Sequence, residues 1–150
     1  MANYDVLVIG GGPGGYLCAE RASQAGFNTA LIEANKLGGT CLNEGCIPTK
    51  ALLYCAKYFV ASKHCKDYGF SAENVAYNHA AAVERKDKVV AKLVGGVGAT
   101  MKANKVTVYN GFGSIKGKNA VKGFDVEVNG EVVTADRLVI ATGSVVAIPP

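Results

Sequence analysis

The sequence predicts a doubly wound α/β fold, a parallel sheet with helices packed on it and a small antiparallel β-meander, and three observations carry that prediction. A short apolar run, Tyr4–Ile9, leads without interruption into Gly10-Gly11-Gly12-Pro13-Gly14-Gly15 and then into a helix-like stretch. A second apolar run finishes on Glu33, about twenty residues past the glycines. After Asn104 the apolar spacing changes to period two, the spacing of strands.

Tyr4–Ile9 (YDVLVI) suits a strand buried on both faces, as parallel strands are. Gly10, Gly12 and Gly15 fit the GxGxxG pattern: a tight turn at the first glycine, backbone approach to a pyrophosphate at the second, close helix–strand packing at the third. The helix expected over Tyr16–Ala25 is ended by Gly26, since glycine takes the left-handed C-terminal position without a Cβ penalty. Thr29–Ile32 is the next strand. Glu33 then stands where a carboxylate accepts hydrogen bonds from an adenosine ribose and disfavours a 2′-phosphate. Strand, glycines, helix, strand and acid in that order make a Rossmann-like dinucleotide unit. A glycine-rich turn beside a solvated glutamate is the alternative.

The segment Gly38-Gly39-Thr40-Cys41-Leu42-Asn43-Glu44-Gly45-Cys46-Ile47-Pro48-Thr49-Lys50 adds chemistry to that unit. Two cysteines five apart on a regular helix lie about 7.5 Å apart along the axis alone, whereas a disulfide wants Cα atoms within roughly 7 Å. Cys41 and Cys46 can therefore bridge only across a distorted helix start, and Gly45 and Pro48 supply that local freedom. At a helix start the partial positive charge of the backbone favours thiolate, the form that exchanges. Unrelated buried thiols or half of a metal site are the alternatives; zinc would need further ligands that His64 and His79 do not obviously supply. No metal site is expected.

Ile47–Ser62 reads as a helix with Leu52, Leu53, Ala56, Phe59 and Val60 at helical spacing and turned to the core. Lys50 follows Cys46 by four residues and shares its face, where a cation stabilises a thiolate. A loop over Lys63–Ala76 precedes a second long helix, about Asn78–Lys102, which Gly95, Gly96 and Gly98 are expected to interrupt through close packing or a kink. His64 and His79 are expected on the surface, and Cys18 and Cys55 as packed thiols. Lys105–Tyr109 and Gly111–Lys116 look like strands, and Asp125–Val133 like a hairpin turning at Asn129-Gly130. Arg137–Ala141 reads as a buried strand, with the small residues Thr142-Gly143-Ser144 at its carboxyl end.

Composition excludes several classes. The 150 residues suffice for one domain core. No run of about eighteen apolar residues suggests a membrane span, and the first strand starts so close to Met1 that no signal peptide is expected. A cytoplasmic, reducing location is the expectation. The net charge of +4 comes largely from lysines scattered between Lys57 and Lys122; without interleaved aromatics such lysines make a solvated face, so no nucleic acid is expected as a partner.

Taken together, Ile9–Gly15, Gly39–Lys50 and Ile140–Ser144 resemble the flavin-dependent pyridine nucleotide-disulfide oxidoreductases. The run Gly45-Cys46-Ile47-Pro48-Thr49-Lys50-Ala51-Leu52-Leu53 looks most like the dihydrolipoamide-oxidising branch. Glutathione and mercuric reductases share the cysteine spacing. Two departures are visible: Thr49 where serine is usual, and Glu44 where valine is usual, which puts a carboxylate next to the disulfide.

The resemblance implies an FAD-binding domain over residues 1–150, the amino-terminal portion of a longer enzyme whose NAD-binding and interface domains lie outside this chain. It implies electrons passing from protein-bound dihydrolipoamide through Cys41 and Cys46 to FAD and then NAD, with Cys41 facing the substrate and Cys46 the flavin. Gly10, Gly12, Pro13, Gly14, Gly15 and Glu33 would hold the pyrophosphate and ribose. Gly39, Thr40, Cys41 and Lys50 would lie along the flavin, with Gly113, Thr142, Gly143 and Ser144 as further FAD contacts. The implied partners are a second copy, as a homodimer of the full-length enzyme, and the lipoyl domains of 2-oxo acid dehydrogenase complexes or the glycine cleavage system. A glutathione- or mercuric-reductase-like enzyme, or an FAD-binding module without turnover, is the alternative, and these residues alone are expected to be inactive.

Overall fold

The computed structural model describes residues 2–119, 123–145 and 147–149; Met1 and Lys122, named above, lie outside them. The elements follow in the order β1 (Ala2–Ile9), α1 (Pro13–Gln24), β2 (Thr29–Glu33), α2 (Gly39–Asn43), α3 (Cys46–Lys63), α4 (His79–Ala103), β3 (Thr107–Asn110), β4 (Ser114–Lys118), β5 (Phe124–Val128) and β6 (Glu131–Ile140). The chain divides into two compact units, a sheet unit formed by Met1–Gly39 with Val94–Pro150, and a helical unit, Thr40–Leu93.

In the sheet unit six strands lie in the order β3-β2-β1-β6-β5-β4. β1 pairs in parallel with β2 and with β6, and β2 with β3. β5 runs antiparallel to both β4 and β6. This is the expected α/β architecture, a parallel sheet extended by an antiparallel meander. In register, Ile9 of β1 stands opposite Ile32 of β2 and Ile140 of β6, so the loops leaving these three carboxyl ends emerge side by side.

The core has two layers. On one face Val6, Val8 and Leu31 pack with Ala19 of α1, Met101 of α4 and Val106. On the other, Leu7, Ile9, Ala30 and Ile32 pack with Val126, Val128, Val133 and Ala135 of the meander. Leu7, Val8 and Leu31 are all 0% exposed, and burying each such side chain contributes roughly 1.5–3 kcal/mol. The meander reaches across this second face: the Asn129 side-chain amide donates to the Asn110 carbonyl at the end of β3, 2.8 Å away. Tyr4 and Tyr109 share a hydroxyl–hydroxyl hydrogen bond of 2.7 Å at its rim. Burial, then that bond, pushes the Tyr109 phenol up to about 12.

Local rules set the boundaries. Pro13 sits in the first turn of α1, and the helix ends at Ala25 with Gly26 at φ +92°. Gly26 N–H donates to Ser23 O and Phe27 N–H to Ala22 O, the paired bonds of a Schellman end. At the β5–β6 hairpin Asn129 and Gly130 both take positive φ, 53° and 81°, as a two-residue type I′ turn requires.

Two expectations about burial and one about helix continuity are corrected. On β6 the buried residues are Val133, Thr134 and Ala135, whereas Arg137 is exposed and Ile140 is 64% exposed. The buried part of the strand is the part paired with β5 as well as β1. On α3 only Ala51 is buried, with Leu52, Cys55 and Phe59 half-buried on its side; Leu53, Ala56 and Val60 are exposed. Apart from Lys50 and Lys57 on one side, the helix presents a wide apolar arc, so spacing alone did not choose its inner stripe. Finally, α4 runs unbroken through Gly95, Gly96 and Gly98, and a Cβ at any of the three would meet no atom within 4 Å. The loop before it holds a single 3-10 turn, Cys65–Tyr68. No helix among the described residues is long and apolar enough to cross a membrane.

Candidate functional site

The sheet unit gathers the glycine turn at the carboxyl ends of β1, β2 and β6. Gly10 has φ +106°, and its N–H donates to Ile32 O at 2.8 Å. A Cβ there would fall on the Ala141 carbonyl oxygen and come within 3.0 Å of Thr142 Cα. A Cβ on Gly15 would fall on the Gly10 carbonyl oxygen. These two glycines let strand, turn and helix close on one another. Gly12 and Gly14 differ: a Cβ on Gly12 would meet only Gly39 Cα, at 3.7 Å, and one on Gly14 would meet nothing within 4 Å. Their backbone faces open space at the start of α1, whose N-cap Gly12 makes no side-chain hydrogen bond and whose first turn has no acidic residue. An uncapped helix start of this kind favours an anion.

Glu33 is fixed by the same turn. Gly11 N–H donates to its Oε2 at 2.6 Å and Asn35 N–H to its Oε1 at 2.7 Å. A carboxylate has about four lone-pair sites, so acceptor capacity remains on each oxygen for a ribose hydroxyl. An open glycine cradle, an uncapped helix start and a held carboxylate fit a dinucleotide such as FAD. Gly39, φ +64°, completes the turn, because a Cβ there would lie 2.7 Å from Gly12 Cα. Gly38 N–H donates to Gly11 O at 2.8 Å.

At the neighbouring strand end Ala141 N–H donates to Ile9 O at 2.8 Å, leaving Thr142, Gly143 and Ser144 exposed just beyond. Gly113 has a packing role: a Cβ there would press on Ile32 at 3.2 Å and on Ile9 at 3.4 Å.

The helical unit carries Cys41 and Cys46. Cys41 lies in α2 and Cys46 opens α3, and the two are joined by a disulfide with Cα atoms 4.7 Å apart, inside the usual range. The distorted start expected between them is a break between two helices. Glu44 and Gly45 N–H both donate to Thr40 O, at 2.9 and 2.7 Å, and the N-cap Gly45 has φ −114° and ψ −106°. A Cβ on Gly45 would lie 3.1 Å from Thr40 O and 3.3 Å from Cys41 Cα, so glycine lets the ring close. Gly45 O then accepts from Thr49 N–H at 3.1 Å, the first turn of α3. Thr40, Cys41, Cys46 and Lys50 are exposed.

Cys18, Cys55 and Cys65 are free thiols. Cys65 is buried and donates its S–H to Ser62 O at 3.0 Å; Cys18 and Cys55 are half-buried. His64 and His79 are exposed, and the described residues hold no cluster of His, Cys, Asp or Glu able to bind a metal. Sequence reasoning missed Gly11 and Asn35, which hold Glu33. The glycine fingerprint treats the position of Gly11 as variable, so its signal was there only as an extra glycine in the run.

The family described as Pyridine nucleotide-disulphide oxidoreductase matches residues 4–150. The dihydrolipoyl dehydrogenase of Acholeplasma laidlawii is 46% identical over 148 residues, 98% of this chain and 43% of that protein. The dihydrolipoyl dehydrogenase of Cupriavidus necator is 47% identical, over 94% of this chain and 32% of its own length. The mitochondrial dihydrolipoyl dehydrogenase of Sus scrofa is 46% identical, over 93% and 28%. This chain thus spans less than half of each of these relatives, and it belongs to the pyridine nucleotide-disulphide oxidoreductase family.

Proposed function

We propose that the chain is the amino-terminal FAD-binding part of an enzyme that oxidises protein-bound dihydrolipoamide, with NAD as the final acceptor. The observation that carries this reading is the disulfide between exposed Cys41 and Cys46 at the head of α3, in a chain that also holds the glycine turn and Glu33. FAD, when bound, supplies the two-electron carrier between the disulfide and the nicotinamide.

The chain's own residues do the rest. Gly10, Gly12, Pro13, Gly14 and Gly15 shape the turn and leave backbone N–H groups at the start of α1 for the pyrophosphate. Glu33 accepts from the ribose. Gly39, Thr40, Lys50, Gly113, Thr142, Gly143 and Ser144 are the further cofactor contacts of this reading. Cys41 exchanges with the substrate dithiol, and Cys46, at the first position of an 18-residue helix, takes the negative charge that the helix start stabilises. Lipoyl domains are the matching substrates and a homodimer the matching assembly.

The test is turnover by the protein made from the complete coding sequence. Dihydrolipoamide and NAD should give NADH, and Cys41→Ser or Cys46→Ser should abolish it with flavin still bound. Reduction of glutathione disulfide, without oxidation of dihydrolipoamide, would move the protein to a sister branch of the family.

A further inference from the structure

The Cys41–Cys46 bridge closes a ring of six residues in which Glu44 is the only ionisable side chain besides the two thiols. Glu44 N–H donates to Thr40 O at 2.9 Å, a bond from residue i to i−4, so the turn of α2 carries on through Glu44. Residues three apart on such a turn are lateral neighbours, about 5–6 Å between Cβ atoms. Cys41 and Glu44 are three apart. Cys46 is placed differently, at the first position of α3 with Lys50 one turn further along. The other side chains of the ring and of that first turn, Leu42, Asn43, Ile47, Pro48 and Thr49, are uncharged, and Thr40 ahead of the ring is also neutral.

We infer that Glu44 suppresses ionisation of the Cys41 thiol and so directs the negative charge of the reduced pair to Cys46. This rests on the reading of the pair as the working redox couple. When a substrate dithiol reduces the bridge, two electrons break the S–S bond and two protons leave the dithiol. One proton stays on Cys41 Sγ, the other goes to solvent, and Cys46 Sγ keeps the charge. A thiolate on Cys41 would have a carboxylate three residues along its turn and be disfavoured by like charge, whereas one on Cys46 has the helix start, with Lys50 one turn further along. Glu44 therefore sets the pH at which Cys41 becomes a nucleophile.

The test is pulse alkylation of the protein, reduced anaerobically with a phosphine, using neutral iodoacetamide from about pH 6 to 10, read by peptide mass spectrometry so that each cysteine is followed separately. In low salt, Glu44→Gln should lower the Cys41 midpoint by on the order of half a pH unit, about three-fold faster reaction near pH 7. Glu44→Asp should keep the wild-type midpoint, Cys46 should move less than Cys41, and salt at about 1 M should erase the difference by screening. An unmoved Cys41 midpoint in Glu44→Gln, or a shift that persists in high salt, overturns the inference. The unreduced samples separate the two readings: no bridge in air overturns the redox reading and this inference with it, while a bridge with an unmoved midpoint overturns this inference alone.

Discussion

The two units of this chain bury their side chains in opposite ways. The sheet unit hides Leu7, Val8, Leu31, Met101, Val126 and Val133 at 0–1% exposure, whereas the helical unit buries only Ala51, Cys65 and Ala82 among its described apolar residues. Leu53, Tyr54, Tyr58 and Val60 of α3 are instead half to three-fifths exposed. The lesson is a division of labour. Stability rests on the layer that positions the glycine turn, and the covalent chemistry sits on a segment held by a six-residue disulfide ring and by helix geometry.

Core truncation should give the largest contrast. Leu31→Ala removes a side chain that is 0% exposed and should cost about 2–5 kcal/mol in urea unfolding. Leu53→Ala, at 59% exposure, should stay within about 0.5 kcal/mol. Equal losses at the two positions would erase the comparison.

The next effect is electrostatic and lies in the sheet unit. Both Glu33 oxygens accept backbone N–H groups, so Glu33→Gln satisfies one donor and turns an NH₂ toward the other. A loss of about 1.5–3 kcal/mol is expected, together with weaker FAD retention measured by equilibrium dialysis. Unchanged affinity would place the ribose elsewhere.

Tyr109 sharpens the comparison through pH. Its phenol is raised to about 12, by burial first and by the Tyr4 hydrogen bond second, against about 10 when unfolded. The contribution is complete below pH 10 and is lost as pH climbs toward 12, because over that window the folded state holds the proton that the unfolded state has released. Wild type should therefore lose stability between pH 10 and 12 faster than Tyr109→Phe, followed by circular dichroism in parallel titrations.

The smallest effect is a gain. Gly96 lies within α4 with no atom within 4 Å of a built Cβ, so Gly96→Ala should stabilise by about 0.5–1 kcal/mol through helix propensity and unfolded-chain entropy. Destabilisation in thermal melts would show that the position needs glycine for something other than helix geometry.

What could be read from the sequence follows the same division. The glycine turn, the strand ending on Glu33, the hairpin at Asn129-Gly130 and the cysteine ring were legible because each depends on a local rule of sterics or chain reach. The facing of α3 was not: Leu52 and Phe59 lie on the inner side, yet Leu53 and Val60, also at helical spacing, lie outside. Lys50 and Lys57 mark one polar edge, but the apolar arc of this helix is too wide to fix which part of it turns inward. Gly95, Gly96 and Gly98 misled in the other direction, since a cost of roughly 1 kcal/mol per glycine weakens a 25-residue helix without breaking it. Gly113, read as a cofactor contact, also has a packing role that no local rule announces, since a Cβ there would press on Ile9 and Ile32.

The proposed chemistry requires Cys41 and Cys46, bridged at the head of α3, to act as one two-electron couple. Thiol counting by mass spectrometry, with alkylation before and after one equivalent of reductant, tests it most directly. Under air Cys41 and Cys46 should resist alkylation and then appear together on reduction, while the thiols of Cys18, Cys55 and Cys65 stay unchanged in number. Free alkylation of both Cys41 and Cys46 in air, without reductant, would contradict it.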